Sequence, residues 1–147
     1  MIDARGAAPL EFLSQAWFDA FVEGINASAE YLEAAADWEG DIAFHVEAEP
    51  DKGVPADLWA LLDLWHGTCR GGGPIDEARG RTARYVIAAP YGRWRDVVLG
   101  DLDPIRGMMQ GKLRVRGDLA TIVRHVRAAN ELVRLTGTVP TRFAGEG

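Results

Sequence analysis

The sequence has very little cysteine and no long apolar run, and both absences restrict what the protein can be. Its 147 residues include one cysteine, Cys69, which excludes an internal disulfide and favours a cytoplasmic location. No apolar run reaches the roughly 18 residues that a transmembrane helix requires. The N-terminal MIDARGAAPLEF does not combine a basic region with an apolar block, and the C-terminal AGEG is not a peroxisomal signal. These absences predict a soluble protein of the cytoplasm.

Basic side chains are scarce in the first part of the chain, and the net charge of −6 conceals this polarity. Residues 1–63 carry 14 acidic and 2 basic side chains, whereas residues 106–142 carry 8 basic and 2 acidic ones. Three interpretations are open: solvated faces, attraction between the halves within the fold or between subunits of a homodimer, and transient contact of the basic part with anionic membrane headgroups. Binding to nucleic acid is not expected, because the chain is acidic and its arginines are not interleaved with aromatic residues.

Catalytic and metal-binding motifs are also missing. Residues 107–113, GMMQGKL, differ from a phosphate-binding loop because the spacer is one residue short, no Ser or Thr follows Lys112, and a strand is predicted next. His66 and Cys69 lie three residues apart, but no second ligand pair accompanies them, so neither a metal site nor a cofactor is predicted. No motif supports a Cys–His nucleophile pair. We therefore expect a protein that is not an enzyme.

Periodic segments are abundant in the first half of the chain. An apolar stripe with acidic residues opposite it predicts a helix from Pro9 to about Ile25, and a second helix is predicted from about Ser28 to Asp37. Strict alternation predicts a half-buried strand over residues 41–49. The apolar residues 57–70 are interpreted as two strands joined by a turn at Gly67, with a helix as the alternative.

The second half is predicted to alternate loops, strands and short helices. In order, we expect a loop at residues 71–74, a strand at 82–90, a short helix around 94–98 that ends at Gly100, a helical turn capped by Asp103, a strand at 112–116, one long helix capped by Asp118, and a loop from Thr136. Short connections favour hairpins between the first strands. The whole pattern predicts one domain, residues 1–147 with a core at 9–135, of the α+β class, in which helices cover one side of an antiparallel sheet.

Residues 100–119, GDLDPIRGMMQGKLRVRGDL, are the most informative segment. Their order resembles the C-terminal half of the sterol carrier protein family, which has a D-P step, a short helix, Q-G-K-L and a strand ending in G-N or G-D. The matching residues are Asp103, Pro104, Gln110, Gly111, Lys112, Leu113, Gly117 and Asp118. The resemblance extends over roughly residues 40–135, and the helical N-terminus is similar to that of prokaryotic stand-alone members. It implies a mainly antiparallel five-stranded sheet, covered on one face by helices, with a hydrophobic tunnel between them.

The resemblance also implies a function. Members bind sterols, fatty acids, acyl-CoAs or phospholipids and are not enzymes on their own, so the chain is expected to be a soluble intracellular lipid carrier. The pocket-lining residues that the resemblance implies are Trp94, Val97, Val98, Ile105, Met108, Met109, Gln110, Leu119, Ile122, Val123 and Val126, to which we add Trp17, Phe18 and Phe21 from the first helix. Gln110, or Arg95 or Arg106 near the mouth, is expected to hold the headgroup. Met109→Glu is then predicted to weaken binding without unfolding the protein.

Two other functions remain open at this point. In the first, the protein is an enzyme subunit that presents a hydrophobic substrate, with His66 or Asp63 as the titratable group aimed into the pocket. In the second, the apolar residues fill the tunnel themselves, and the protein is a homodimeric interaction module that binds no lipid.

Overall fold

A computed structural model describes residues 8–146 and shows seven strands and seven helices in that range. The strands are β1 Leu10–Glu11, β2 Ile42–Glu47, β3 Leu58–Trp65, β4 Thr68–Ile75, β5 Tyr85–Pro90, β6 Arg114–Arg116 and β7 Thr141–Arg142. The helices are α1 Gln15–Asn26, α2 Ala29–Ala34, α3 Glu77–Gly80, α4 Tyr91–Leu99, α5 Pro104–Met109, α6 Leu119–Arg124 and α7 Val126–Thr136, with a 3₁₀ turn at Pro50–Lys52.

Five of the strands form one sheet in the order β4-β3-β2-β5-β6. The pairs β2–β3, β3–β4 and β5–β6 are antiparallel, whereas β2 and β5 are parallel. This arrangement confirms the α+β class and the mainly antiparallel five-stranded sheet. The hairpins expected between the first strands are present. The parallel pair brings Phe44 of β2 opposite Ile87 of β5, so the centre of the sheet joins the two halves of the chain.

The two faces of the sheet are covered differently. Phe44, Leu62 and Ile87 lie on the face that packs against α1 and α4 and holds the main core; α7 packs on these two helices. On the opposite face, a smaller apolar cluster surrounds Trp59, and the short α3 lies against it: a Cβ at Gly80 would come within 2.2 Å of the Trp59 ring. The alternating pattern predicted that the second face of β2 is exposed to solvent. At Ala43 this face is instead fully buried.

The first helix begins later than predicted. Residues 10–11 form β1, which pairs in parallel with β7, and the Leu10 N–H donates to the Pro140 carbonyl at 2.8 Å. Leu13 has a left-handed φ of 72°, which a helix cannot accommodate. Helix α1 starts only after Ser14, whose hydroxyl accepts a hydrogen bond from the Trp17 N–H at 3.2 Å. The predictions of a helix from Pro9 and of a tail that is only loop are thus wrong.

The glycine-rich residues 71–74 form part of β4 and not the predicted loop. The absence of side chains here lets α1 approach the strand. A Cβ at Gly72 would lie 3.2 Å from a Val22 methyl carbon of α1, and one at Gly73 would lie 2.3 Å from the Gln15 amide oxygen. The Gln15 side chain donates instead to the Gly72 carbonyl at 3.0 Å. The glycines therefore serve close packing of a helix on a strand.

The predicted long last helix is divided into α6 and α7 at His125, which has φ −104° and ψ 35°. The imidazole Nδ1 lies 2.8 Å from the Thr121 carbonyl oxygen, and Nε2 lies 3.0 Å from the Asp37 carboxylate. The ring also packs edge-on against Trp38, with the centroids 5.0 Å apart. Because the break changes the phase of the apolar face, Val126 is 42% exposed and does not face inward as predicted.

Part of the charge polarity of the chain is neutralised within the fold. Arg127 pairs with Glu30 at 2.7 Å, and Arg114 pairs with Glu47, so basic residues of the second half contact acidic residues of the first. Attraction between the halves, one of the three interpretations, therefore occurs within one chain. Glu131 is buried and accepts hydrogen bonds from Arg134 and from the Ser28 hydroxyl, all at 2.6 Å; these bonds, with that from Arg134 the strongest, hold its pKa below the usual range.

Candidate functional site

An apolar cavity of about 140 Å³ lies between the sheet and the helices. Phe44, Leu62 and Ile87 of the sheet form its floor, and α1, α4, α5, α6 and α7 each contribute side chains to its walls. Almost all of its surface is carbon, and no Lys or Arg among residues 8–146 lines it. A space of this character suits an apolar guest, because the guest leaves water without any need for a charged partner.

Hydrogen bonds at the edges hold the aromatic walls in place. The Trp17 indole N–H donates to the Thr141 hydroxyl at 2.9 Å, which ties α1 to β7. The Trp94 indole reaches the carbonyl of His45 at 3.4 Å, while its ring meets Phe44 edge-on with the centroids 5.4 Å apart. These bonds direct the indole N–H groups into the protein. The apolar faces of the two indole rings are then available to the cavity.

The structure brings together eight of the fourteen predicted site residues. Trp17, Phe18, Phe21, Trp94, Val97, Val98, Met108 and Ile122 line the cavity. The other six do not: Ile105 is buried elsewhere in the core, Leu119 and Val123 are half-buried, and Met109, Gln110 and Val126 are exposed. A role for any of the fourteen in binding remains a prediction.

The two methionines of α5 have opposite environments. The Asp103 carboxylate caps this helix by accepting from the Arg106 N–H at 2.8 Å. Met108 then faces the cavity, whereas Met109 is 68% exposed, because adjacent residues on a helix point about 100° apart. Gln110 ends the helix on the surface. It does not line the cavity, although the family resemblance placed it among the lining residues.

Several cavity residues were not predicted. Ala129, Leu132 and Val133 of α7 line the cavity with the spacing i, i+3, i+4, and this helical period was a usable signal in the sequence. Tyr31 and Trp38 also line it. No local pattern distinguishes these two aromatic residues from ordinary core residues, so only tertiary packing reveals them.

Within the described part of the chain, the titratable groups of the cavity wall are Tyr31 and His125. Burial raises the pKa of Tyr31 far above its ordinary value, so its hydroxyl stays neutral. The groups suggested for catalysis lie elsewhere: His66 is half-exposed in the β3–β4 turn, 2.6 Å from the Glu39 carboxylate, and Asp63 pairs with Arg70 at 2.9 Å. Within residues 8–146, no three His, Cys, Asp or Glu side chains are grouped so that they could hold a metal ion. No helix in that range is long and apolar enough to cross a membrane.

Comparisons with solved structures agree with this architecture. The chain is similar to a crystal structure of sterol carrier protein 2, with 37% identity and a TM-score of 0.80, over 88% of this chain and 99% of the other. It is also similar to a solution structure from Thermus thermophilus, a conserved hypothetical protein described as a possible sterol carrier protein, with 35% identity and a TM-score of 0.80, over 92% of this chain and 94% of the other.

A more distant structure shows that the fold itself is shared. The apo form of sterol carrier protein 2 from Yarrowia lipolytica has 19% identity and a TM-score of 0.58, over 86% of this chain and 93% of the other. No curated protein sequence matches the chain. A sequence profile of the SCP-2 sterol transfer family, however, matches residues 18–129. This match and the 37% identity to a sterol carrier protein 2 structure confirm the resemblance noted in residues 100–119, and the chain belongs to the SCP-2 sterol transfer family.

Proposed function

We propose that this protein binds a lipid in the apolar cavity and carries it. The observation that supports the proposal is an almost purely apolar cavity in a chain of a sterol transfer family. Each methylene group buried there contributes about 0.8 kcal/mol. A short acyl chain thus offsets the loss of translational and rotational freedom on binding.

The cavity widens when a long chain enters it. Its volume of about 140 Å³ is below the roughly 300–1,000 Å³ of pockets that enclose drug-sized ligands. Met108 and the short helix α5 form part of the wall, and methionine adapts its shape to irregular guests more readily than branched residues do. We propose a broad choice among apolar chains on these grounds, with a fatty acid, an acyl-CoA, a sterol-like molecule or a phospholipid as the ligand.

The experiment that tests the function is identification of co-purifying lipids. The purified protein is extracted with organic solvent, the lipids are identified by mass spectrometry, and native mass spectrometry gives the stoichiometry. One lipid class at about one molecule per chain is expected. The proposal would be overturned if the purified protein contained no lipid and bound neither added fatty acid nor added acyl-CoA. The result would instead favour an interaction module whose core is filled by its own side chains.

Glutamate substitutions at the two methionines distinguish a binding site in the cavity from one on the outer surface. Met108→Glu places a carboxylate in the apolar wall, where its desolvation opposes an acyl chain. We expect it to lower fatty acid affinity at least tenfold, which corresponds to about 1.4 kcal/mol. Met109→Glu is the matched control, because Met109 is 68% exposed and lies outside the cavity. Fluorescence titration with a fatty acid measures both, and equal losses in the two variants would contradict the placement of the site.

We propose that the protein is a carrier and not an enzyme, and that it works in the cytoplasm. The groups suggested for turnover, His66 and Asp63, are outside the cavity wall. Tyr31 is neutral, and the Asp37 carboxylate and the Thr121 carbonyl already engage the two ring nitrogens of His125. The lone thiol, Cys69, is buried, and burial raises its pKa, which makes it a poor nucleophile.

The end of α5 is also proposed to meet an anionic membrane during lipid transfer. Met109 is exposed there, and Arg106 and Lys112, on the same short segment, are exposed and form no ion pair with any residue in the range 8–146. Each basic side chain near an anionic surface contributes about 1 kcal/mol. Because Met108 on the same helix lines the cavity, docking of this end would bring the membrane close to the cavity wall.

Vesicle binding tests this contact. The protein is expected to co-sediment with vesicles that contain phosphatidylglycerol and to remain in solution with pure phosphatidylcholine. Met109→Glu is expected to reduce co-sedimentation several-fold although its cavity is intact, and added salt is expected to weaken binding because it screens surface charge. Equal binding to both kinds of vesicle, or no effect of Met109→Glu, would count against this role of α5.

A further inference from the structure

A second cavity, of about 390 Å³, adjoins the apolar cavity at the end of the sheet where β3 begins and β4 ends. It shares two wall residues, Leu13 and Val46, with the first cavity. Much of its remaining wall is apolar and includes Leu58, Ala60 and Pro74. Because the same two side chains border both spaces, the two cavities are direct neighbours.

The two cavities also share a floor. The register of β2 and β3 places Phe44 opposite Ala60 and Val46 opposite Leu58, and directly opposed residues of paired strands lie on the same face of a sheet. Phe44 and Val46 line the first cavity, whereas Ala60 and Leu58 line the second. Since Val46 belongs to this floor, Leu13 is the side chain from outside the sheet that lies between the two spaces.

The backbone of Leu13 is fixed on both sides. The preceding Phe12 is buried and meets the Trp17 ring edge-on, with the centroids 5.0 Å apart. The following Ser14 caps α1, and its hydroxyl donates to the Glu11 carbonyl at 2.7 Å. Between these anchors Leu13 has its φ of 72°, which residues other than glycine rarely adopt. Such strain persists where the surrounding structure imposes it, and it is concentrated at functional sites.

We propose that the far end of a long acyl chain passes Leu13 and enters the second cavity, so that Leu13 determines how the affinity depends on chain length. This inference rests on the proposed function, because it extends the same binding site. The first cavity alone is smaller than pockets that enclose drug-sized ligands, but the two volumes together fall within the range of roughly 300–1,000 Å³. A long chain therefore gains the space that it requires from the second cavity.

The charges of the second cavity indicate which end of the chain enters it. Asp57, Asp76 and Glu77 belong to its wall, and three carboxylates disfavour the anionic end of a fatty acid there. The methyl end carries no charge and suits the apolar floor. The polar end then stays at the opposite side, which agrees with docking of α5 on a membrane.

The first test fills the second cavity. Leu58 is 41% exposed and lines the second cavity but not the first, so Leu58→Trp adds an indole there and leaves the main core intact. Isothermal titration calorimetry measures octanoate and hexadecanoate binding. Each methylene that loses its apolar surroundings costs about fourfold in affinity. We expect Leu58→Trp to weaken hexadecanoate binding about tenfold and to leave octanoate unchanged. An unchanged ratio of the two affinities would overturn the inference.

The second test removes the side chain between the cavities. Leu13→Gly opens the passage, and glycine adopts a positive φ without steric cost, so the variant is expected to fold. We expect hexadecanoate to bind at least threefold more tightly and octanoate to bind as in the wild type. The gain should disappear in the double variant with Leu58→Trp, because it depends on the second cavity. A folded Leu13→Gly protein without this gain would overturn the role of Leu13.

Leu10→Ala is the matched control. Leu10 lies in the same segment and is half-buried like Leu13, but it lines neither cavity. We expect its substitution to leave the ratio of the hexadecanoate and octanoate affinities unchanged, and thermal denaturation shows whether each variant is folded. If the wild type bound neither acid, the proposed function would be refuted. If it bound both and no variant changed the ratio, only the present inference would fail.

Discussion

Ala129→Phe is expected to abolish most fatty acid binding, with a loss in affinity of tenfold to a hundredfold. Ala129 lies on α7 and lines the cavity, so a phenyl ring at this position occupies the space that an acyl chain requires. A hundredfold loss corresponds to about 2.7 kcal/mol. Overpacking a filled core typically costs about 1–3 kcal/mol, but here the ring enters an existing void. We therefore expect the variant to fold with nearly unchanged stability.

Asn130→Phe is the control for this substitution. Asn130 follows Ala129 on the same helix but is exposed, so the same ring is added on the outside of α7. Displacement of a fluorescent fatty acid gives the affinity of both variants, and thermal denaturation shows whether each is folded. If a folded Ala129→Phe protein bound fatty acid like the wild type, lipid would have to bind outside the cavity.

The second large effect is expected from Gly67→Ala, which should lower the free energy of unfolding by about 3 kcal/mol or more. Gly67 forms the β3–β4 turn with a left-handed φ of 81°, a conformation that costs other residues about 1–2 kcal/mol. A Cβ there would also lie 2.6 Å from the Leu32 carbonyl oxygen and 2.9 Å from its Cα. Because Leu32 belongs to α2, the clash is removed only if this helix moves away from the hairpin. The lost packing adds a cost of about 1–3 kcal/mol.

Gly100→Ala isolates the first of these costs, that of the backbone conformation. Gly100 ends α4 with a φ of 83°, almost the same as that of Gly67, but a Cβ there would meet nothing within 4 Å. We expect a loss of about 1 kcal/mol, from backbone conformation alone. Urea denaturation of the two variants gives the difference directly. Equal losses would mean that α2 does not press against the turn as the structure describes.

Local sequence signals predicted the elements that depend on neighbouring residues. Asp103 caps α5, Gly100 ends α4, and alternation marks β2, as expected. In each case the decisive interaction spans a few residues, such as a carboxylate that accepts from an N–H three residues ahead. The segment 100–119 combines several of these signals, which is why it sufficed for the family resemblance.

Signals of this kind failed where the partner is distant in the chain. The pairing of β1 with β7 joins residues about 130 positions apart, and no periodicity near Leu10 reveals it. The glycines of β4 resemble a loop until α1 is placed on them. The break at His125 depends on Asp37 and Trp38, which lie on a separate segment. Each feature stems from packing between elements.

Local periodicity and capping were therefore enough to predict the class of fold, the hairpins, the helix caps and the apolar character of the walls. Which apolar residues surround empty space, and which fill it, depends on how the elements pack together. Met108 and Met109 are chemically identical neighbours, yet one lines the cavity and the other is exposed. Likewise, Tyr31 and Tyr91 are both buried, but of these two only Tyr31 lines the cavity. A cavity is the place where packing is incomplete, and that depends on how all surrounding elements meet.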